Sequence, residues 1–319
     1  MQSLDHDVLK TTRDWLRAGK RPWLCTIVET IGSSPRPIGS MLSVLESGEQ
    51  SGTVSGGCVE EELLEKLRSG AYRGDLPESV SYGLTAEENE RFGLPCGGRL
   101  TLLIQKTSTD DSGWIQQSLA AIAERRCLER DVDLLSGNTR VRDVAQYFPL
   151  SYSTTRLQQC FGPRMRMLLI GAGQLAQSLS ELALAMDYEV LVTDPRQNML
   201  DQWLGPPLEL IQGMPDDVIR ERAFDSHSII ITLSHDPRID DMALMGALDT
   251  QAWYIGALGS KRTTEKRIAR LLELDMTQEQ ITRLHAPVGL SIGSKTPLEI
   301  SVSIMAQLTQ LRRENTGRD

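Results

Sequence analysis

The sequence has few cysteines, few histidines and few aromatic residues, and the small number of cysteines and histidines argues against some kinds of metal site. Of the 319 residues only 5 are cysteine and 4 are histidine, and no CxxC pair occurs, which argues against a zinc ribbon. No run of about 18 apolar residues occurs, so no transmembrane helix is predicted. An odd number of widely spaced cysteines, behind an N-terminus that lacks the pattern of a secretory signal, predicts free thiols in a reducing cytoplasm.

The charge balance is acidic, with a formal net charge of −9. A protein of this charge repels nucleic acids and anionic membranes, so neither is expected as a partner. An anionic ligand would need a local pocket that is basic or rich in backbone N–H groups. The length is sufficient for about two domains, and the hydrophobic content of 40% is ordinary for a globular protein.

The hydrophobic pattern predicts an α/β protein with an N-terminal α+β domain followed by a Rossmann-like parallel-sheet domain. Residues 1–106 contain helical stretches, strands and a hairpin, and they carry two glycine-flanked cysteines. Residues 107–164 are the least decisive and predict a linker with one helix. In residues 165–319, short apolar runs alternate with helices, as in parallel strands buried on both faces. A C-terminal helix is predicted to begin with a capping box made by Thr296 and Glu299.

The turn GAGQLA follows an apolar strand, opens a helix and carries Gly171, Gly173 and Ala176 in the G-x-G-x-x-[GA] pattern. This context is typical of a dinucleotide-binding turn, in which phosphate lies on the free N–H groups of the helix start. The next strand ends at Asp194, a candidate to bind a ribose, and Arg196 is a candidate to meet a phosphate. The choice between NAD and another nucleotide stays open, as does a Rossmann-type fold with an empty cleft.

Two loops leave the carboxyl ends of later strands, where open parallel sheets bind their ligands. SHDPRIDD supplies His235 and Asp236, and the basic loop GSKRTTEKR supplies Lys261 and Arg262, which suit an anion such as phosphate. A solvated basic pair and a loop-packing histidine are the alternatives. His285 is the other histidine expected near a cleft, and two histidines without a third ligand are a weak indication of a metal site.

Cys58 and Cys96 are the cysteines with glycine neighbours. Cys58 follows Gly56 and Gly57 at a helix start, and Cys96 precedes two glycines in a turn whose amides can form an anion-binding nest. Each is either a displayed thiol or a small buried hydrophobe. Cys25, which lies in an apolar strand, and Cys127 are expected to be packing residues.

Eight stretches together resemble the XdhC/CoxI family, the accessory proteins of molybdenum hydroxylases. They span residues 33–304 in order and cover both predicted domains. The last stretch departs mildly, with Ser291 where an acid is common. The stretches are SSPRPIGSML, GTVSGGCVEEEL, FGLPCGGRLTLLI, IGAGQLAQSL, VTDPR, SHDPRIDD, YIGALGSKRT and LHAPVGLSIGSKTPLEISVSI.

The resemblance implies a non-catalytic chaperone that binds the molybdenum cofactor, as molybdopterin or its dinucleotide form. Such proteins protect the cofactor while its terminal sulfido ligand is installed, with sulfur from a cysteine desulfurase. They then deliver it to a xanthine-dehydrogenase- or aldehyde-oxidoreductase-like apoenzyme, and a homodimer is expected. The resemblance makes Cys58 and Cys96 the leading candidates for contact with the cofactor and its molybdenum. The other expected contacts are Gly171, Gly173, Asp194, Arg196, His235, Asp236, Lys261 and Arg262.

Three other functions stay open. The glycine turn and Asp194 are also compatible with an NAD(P)-dependent oxidoreductase, although no hydride-transfer arrangement stands out. A thiol-dependent redox sensor would need Cys58 and Cys96 to meet. A scaffold for the desulfurase and the apoenzyme would bind these partners without any cofactor.

Overall fold

The computed structural model describes residues 3–32, 36–72, 74–92 and 98–314. The chain divides into two units, Met1–Pro163 and Arg164–Asp319. Among the described residues, no helix is long and apolar enough to cross a membrane.

The first unit contains an antiparallel sheet with the described strand order β3-β2-β1-β5-β4. Its strands are β1 (Trp23–Ile31), β2 (Met41–Val44), β3 (Gln50–Gly52), β4 (Glu78–Tyr82) and β5 (Arg99–Lys106). Its first helices are α1 (Ser3–Arg17), α2 (Cys58–Arg68) and α3 (Ala86–Arg91). The apolar positions of α2 recur at helical spacing, and Val59, Leu63 and Leu67 are buried in one core cluster with the sheet residues Ile27 and Leu102. This packing fixes the start of α2, where Cys58 lies.

Residues 107–164 differ from the predicted linker, because strands accompany the predicted helix. The segment holds α4 (Ser112–Ala123), β6 (Cys127–Asp133), β7 (Thr139–Val144), β8 (Ser151–Tyr152) and β9 (Arg156–Phe161). The strands form a second antiparallel sheet in the order β7-β6-β9-β8. Leu9 of α1 and Ile115 of α4 share a buried cluster with Phe161, so the segment contributes to the core of the first unit.

The second unit is built on a parallel sheet with the described strand order β12-β11-β10-β13-β14-β15, which confirms the predicted Rossmann-like fold. Its strands are β10 (Arg166–Ile170), β11 (Glu189–Thr193), β12 (Glu209–Ile211), β13 (Ser228–Thr232), β14 (Tyr254–Ala257) and β15 (Leu284–His285). Its helices are α5 (Gln174–Ala185), α6 (Gln197–Asp201), α7 (Pro215–Arg222), α8 (Pro237–Leu248), α9 (Lys261–Glu273), α10 (Gln278–Thr282) and α11 (Pro297–Glu314).

Both faces of this sheet are buried, as the continuous apolar runs predict. Met167 and Leu169 of β10 point into one core cluster, and Leu168 and Ile170 point into another on the opposite face. The chain leaves β10 towards β11 on one side and returns to β13 on the other. The carboxyl ends of β10 and β13 therefore form a topological switch point, the usual ligand position in such sheets.

The predicted capping box at the start of α11 is confirmed. The N–H of Glu299 donates to Oγ1 of Thr296 at 3.3 Å, and the carboxylate of Glu299 accepts from the N–H of Thr296 at 2.9 Å. Pro297 is the first residue of the helix, where a missing N–H costs nothing.

Candidate functional site

The glycine turn brings β10 and β13 close together at the switch point. Gly171 has a φ of +106°, and a Cβ at this position would lie 2.7 Å from the Cα of Ser234. Any other residue would collide with backbone and be strained, so the turn requires glycine.

Gly173 is the N-cap of α5 and offers no side chain to the first N–H groups of that helix. A Cβ built on it has no heavy atom within 4 Å, so the space beside the turn is open. Ala176, by contrast, is fully buried, in keeping with a helix that packs closely on its strand. These features match a phosphate-binding turn, in which free N–H groups and the helix dipole face an anion.

Asp194 is fully buried, and hydrogen bonds within the chain occupy its carboxylate. Oδ1 accepts from the N–H of Arg196 at 3.0 Å and from its Nε at 2.8 Å. Oδ2 accepts from Nη2 of Arg196 at 2.9 Å and from the N–H of Ala172 at 3.0 Å. Burial opposes ionisation, but the bonds from Arg196 and Ala172 outweigh it and lower the pKa of Asp194. A carboxylate has about four lone-pair positions, so Asp194 has none left for a ribose.

The loop after β13 is held by a similar set of bonds. Asp236 is the N-cap of α8, and its carboxylate pairs with the guanidinium of Arg238, which lowers the pKa of Asp236 to about 2. His235 has a φ of +60°, a left-handed conformation uncommon outside glycine. Oγ of Ser234 donates to Asp240 at 2.7 Å, which ties the loop to α8.

A cleft of about 630 Å³ lies between this loop and the start of α9. The predicted residues His235 and Arg262 are among those that line it, together with Ser260, Lys266, Arg267 and Arg270. Arg267 is buried and its Nη2 pairs with Asp240 at 3.0 Å, while Arg270 pairs with Asp241. Arg262 and Lys266 have no ion pair among the described residues. The cleft therefore presents two uncompensated cations beside the N-terminus of α9, which favours an anion.

Lys261 is the first residue of α9 and is exposed. His285 contributes to packing, since its ring stacks on Tyr254 with centroids 4.4 Å apart and an interplanar angle of 9°. Burial lowers the pKa of His285. The hydroxyl of Tyr254 donates to Gln307 at 2.6 Å, which also accepts from the N–H of Gly289.

Cys58 is the first residue of α2 and is exposed, so the alternative of a small buried hydrophobe does not hold for this cysteine. Gly56 and Gly57 before it have φ values of +95° and +145°. A Cβ on either would have no heavy atom within 4 Å, so open space surrounds the approach to Cys58. The packing roles expected for Cys25 and Cys127 agree with their burial, and Cys160 is buried as well.

The loop before Cys58 is a nest of N–H groups, and Glu60 fills it. One carboxylate oxygen accepts from the N–H groups of Val54 at 2.8 Å and Ser55 at 3.0 Å, and the other accepts from the N–H of Gly57 at 3.1 Å. The hydroxyls of Thr53 and Ser55 also donate to it. Burial works against ionisation, but these bonds lower the pKa of Glu60 to about 2. The loop is therefore no free anion site, and what it displays is the thiol.

Cys96 lies outside the described residues, so the proposed pairing of its thiol with Cys58 has no structural account. Among the residues that the structure describes, no three His, Cys, Asp or Glu side chains cluster in a way that could hold a metal ion. Six of the predicted residues follow the carboxyl ends of three neighbouring strands in the second unit, whereas Cys58 belongs to the first unit. These six are Gly171, Gly173, Asp194, Arg196, His235 and Asp236.

Sequence reasoning missed the roles of Glu60 and Lys266. Glu60 is three residues after the N-cap Gly57, and a glutamate at that spacing is the signal of a capping box. Lys266 follows Arg262 by four residues, so both project from one face of α9.

Comparison with known proteins places the chain in a family. Residues 15–83 match the family model described as XdhC and CoxI family, and residues 167–308 match the model of the XdhC Rossmann domain. The chain belongs to the XdhC and CoxI family. Together, the two models match parts of both units.

Relatives of the family resemble the chain over nearly its whole length. The Escherichia coli protein named molybdenum cofactor insertion chaperone PaoD is 30% identical over 97% of this chain and 89% of its own. A Bacillus subtilis protein, named as a probable subunit of xanthine dehydrogenase, is 26% identical over 91% of this chain and 93% of its own. A crystal structure described as a xanthine dehydrogenase from Bacillus halodurans is 26% identical, with a TM-score of 0.74, and covers 97% of this chain and 96% of the other.

Proposed function

We propose that this protein binds the molybdenum cofactor as cargo, protects it during sulfuration and delivers it to a molybdenum hydroxylase apoenzyme. The observation that carries the proposal is the similarity to the Escherichia coli insertion chaperone over 97% of the chain, since it extends across both units. Two features of the geometry suit such a cargo. The carboxyl ends of the parallel strands in the second unit suit an anion, and the first unit exposes the thiol of Cys58.

The anionic part of the cofactor is assigned to the second unit. The pterin carries a phosphate, or a full nucleotide in the dinucleotide form. The open space at Gly173 and the free N–H groups of α5 suit the phosphate. The cleft lined by Arg262, Lys266 and His235 provides a second contact for an anion. Lys261 is exposed at the start of the helix that carries Arg262 and Lys266.

The molybdenum–sulfur centre is assigned to the thiol of Cys58. A soft thiolate is the protein ligand that suits a molybdenum–sulfur centre, and Cys58 is the exposed cysteine among those described. Cys96 belongs to the second glycine-flanked cysteine motif and is proposed as its companion.

The partners follow from this function. The apoenzyme receives the cofactor, and a cysteine desulfurase supplies the sulfur while the chaperone holds it. We propose a cytoplasmic location and a homodimer. Nucleic acid is not an expected partner, because the formal net charge is −9.

The protein is proposed to bind and transfer rather than to catalyse. The comparisons do not favour the NAD(P)-dependent oxidoreductase. The contact with a free ribose diol that an NAD-dependent enzyme would need from Asp194 is also blocked, because Arg196 occupies this carboxylate.

Pterin retention tests the proposal. The chain is purified from cells that make the cofactor, and pterin is released by oxidation and measured by fluorescence. We expect near-stoichiometric pterin in the wild type and a marked loss in Cys58→Ala. Glu61→Gln is the matched control, because Glu61 is exposed in the same helical turn, and it should retain pterin. A wild type without pterin would contradict the proposed function, and full retention in Cys58→Ala would contradict the role of the thiol.

A further inference from the structure

The triplet Asp-Pro-Arg follows two strands of the parallel sheet and adopts the same side-chain geometry at both. Asp194 and Arg196 follow β11, and Asp236 and Arg238 follow β13. In each triplet the backbone N–H and Nε of the arginine donate to Oδ1 of the aspartate, and Nη2 donates to Oδ2. Each aspartate thus fixes the orientation of its own arginine.

The two triplets differ in their surroundings. Asp194 is fully buried and also accepts from the N–H of Ala172 in the glycine turn, so Arg196 is anchored directly beside that turn. The side chain of Arg238 is 90% exposed, whereas that of Arg196 is 39% exposed. Arg196 is therefore the arginine whose guanidinium is held at the phosphate-binding turn.

The guanidinium of Arg196 retains donors for a ligand. Asp194 engages its Nε and one N–H of Nη2, and the remaining N–H groups have no partner in the described part of the chain. Asp236 and Asp240 also lie close enough to raise the pKa of Arg196, but each pairs with an arginine of its own, Arg238 or Arg267.

We infer that Arg196 is the residue that determines ligand specificity at the end of β11, beside the glycine turn. It selects a ligand that places a phosphate there over a ligand that places a free ribose diol there. Recognition of a ribose diol at the end of the second strand requires a carboxylate with a free lone pair, which Asp194 lacks. A fixed guanidinium fork instead donates to phosphate oxygens. The inference rests on the proposed function, in which this edge takes the phosphate-bearing part of the cargo.

Two probes that differ by one phosphate test the inference. Adenosine 5′-monophosphate and adenosine 2′,5′-bisphosphate are titrated by calorimetry into the whole chain, freed of pterin. The bisphosphate should bind at least about tenfold more tightly, the value of one charge-assisted contact. Arg196→Gln should abolish this preference. Arg238→Gln, which alters the exposed arginine of the matching triplet, should keep it.

Arg196→Lys keeps the charge without the fork and should lose most of the preference, which guards against a Gln variant that fails to fold. Equal affinities in the wild type, a preference that survives Arg196→Gln, or no binding of the bisphosphate would each overturn the inference. Pterin retention is measured on the wild type and on each variant before the pterin is removed for calorimetry. Retained pterin without the phosphate preference would refute the inference and leave the proposed function standing. A phosphate preference without retained pterin would support the role of Arg196 and contradict the proposed function.

Discussion

Replacing Glu60 by glutamine should destabilise the first unit and loosen the loop that displays Cys58. The carboxylate accepts bonds from four backbone N–H groups, those of Val54, Ser55, Gly56 and Gly57, and from two hydroxyls. A glutamine keeps the shape but replaces one acceptor oxygen by an NH₂ donor, which faces other donors. The charge-assisted bonds are thus lost and at least one N–H group is left unsatisfied.

The magnitude follows from the pKa of Glu60, which is lowered from 4.5 to about 2. One pKa unit corresponds to about 1.4 kcal/mol, so the ionised carboxylate contributes about 3 kcal/mol to the free energy of unfolding. Because the folded-state pKa is depressed, this contribution is fully present above the ordinary glutamate pKa of 4.5. It is lost as the pH falls through the folded value of about 2.

Urea unfolding of wild type and Glu60→Gln at neutral pH and near pH 3 measures this contribution. We expect a difference of about 3 kcal/mol at neutral pH that shrinks by roughly half or more near pH 3, since the wild type then approaches the uncharged variant. Glu61→Gln should match the wild type, because Glu61 is exposed in the same turn. A difference below about 0.5 kcal/mol at neutral pH, or one independent of pH, would refute the reasoning.

Three further perturbations have defined outcomes. Gly171→Ala should destabilise the second unit by about 2 kcal/mol or more in urea unfolding, because its Cβ would lie 2.7 Å from the backbone of Ser234, and unchanged stability would show that the turn can relax. Arg267→Met should cost about 3–5 kcal/mol by leaving the buried carboxylate of Asp240 unpaired, and a neutral effect would show that this carboxylate takes up a proton in the folded protein. Iodoacetamide should modify Cys58 in the native protein and the three buried described cysteines only after unfolding, as peptide mass mapping will reveal. Equal rates would mean that burial does not control access.

The second unit was predictable because its signals are local. Continuous apolar runs such as β10 and β13 indicate strands covered on both faces, and the spacing of Gly171 and Gly173 indicates the turn between strand and helix. The start of α11 was predictable for the same reason, since the capping residues are three positions apart in the sequence.

The second sheet of the first unit was not predictable from pattern. The strand β7 has mostly polar residues and no buried one, and β8 has only two residues, so neither shows the alternation of apolar and polar residues that identifies a strand. What makes them strands is pairing with β6 and β9, which is a tertiary effect.

The contacts of the candidate site were likewise not predictable from the sequence, because they depend on tertiary structure. The sequence indicates that Asp194 and Asp236 lie at strand ends, but not whether their carboxylates face a ligand or an arginine two residues away. That choice depends on burial and on the N–H of Ala172, which only the folded chain brings near. In the sequence Glu60 is simply the first of three consecutive glutamates, whereas the fold turns its carboxylate back into the loop.

Transfer of the cargo tests the central claim most directly. The chain, purified with its pterin, is mixed with a molybdenum hydroxylase apoenzyme, and the two proteins are separated again by size. Pterin and molybdenum are then measured in each, beside the activity of the hydroxylase. The account predicts that both leave this chain, appear in the hydroxylase in equal amounts and restore its activity, and that Cys58→Ala transfers little. Pterin that stays with the chain while the hydroxylase remains inactive would contradict it.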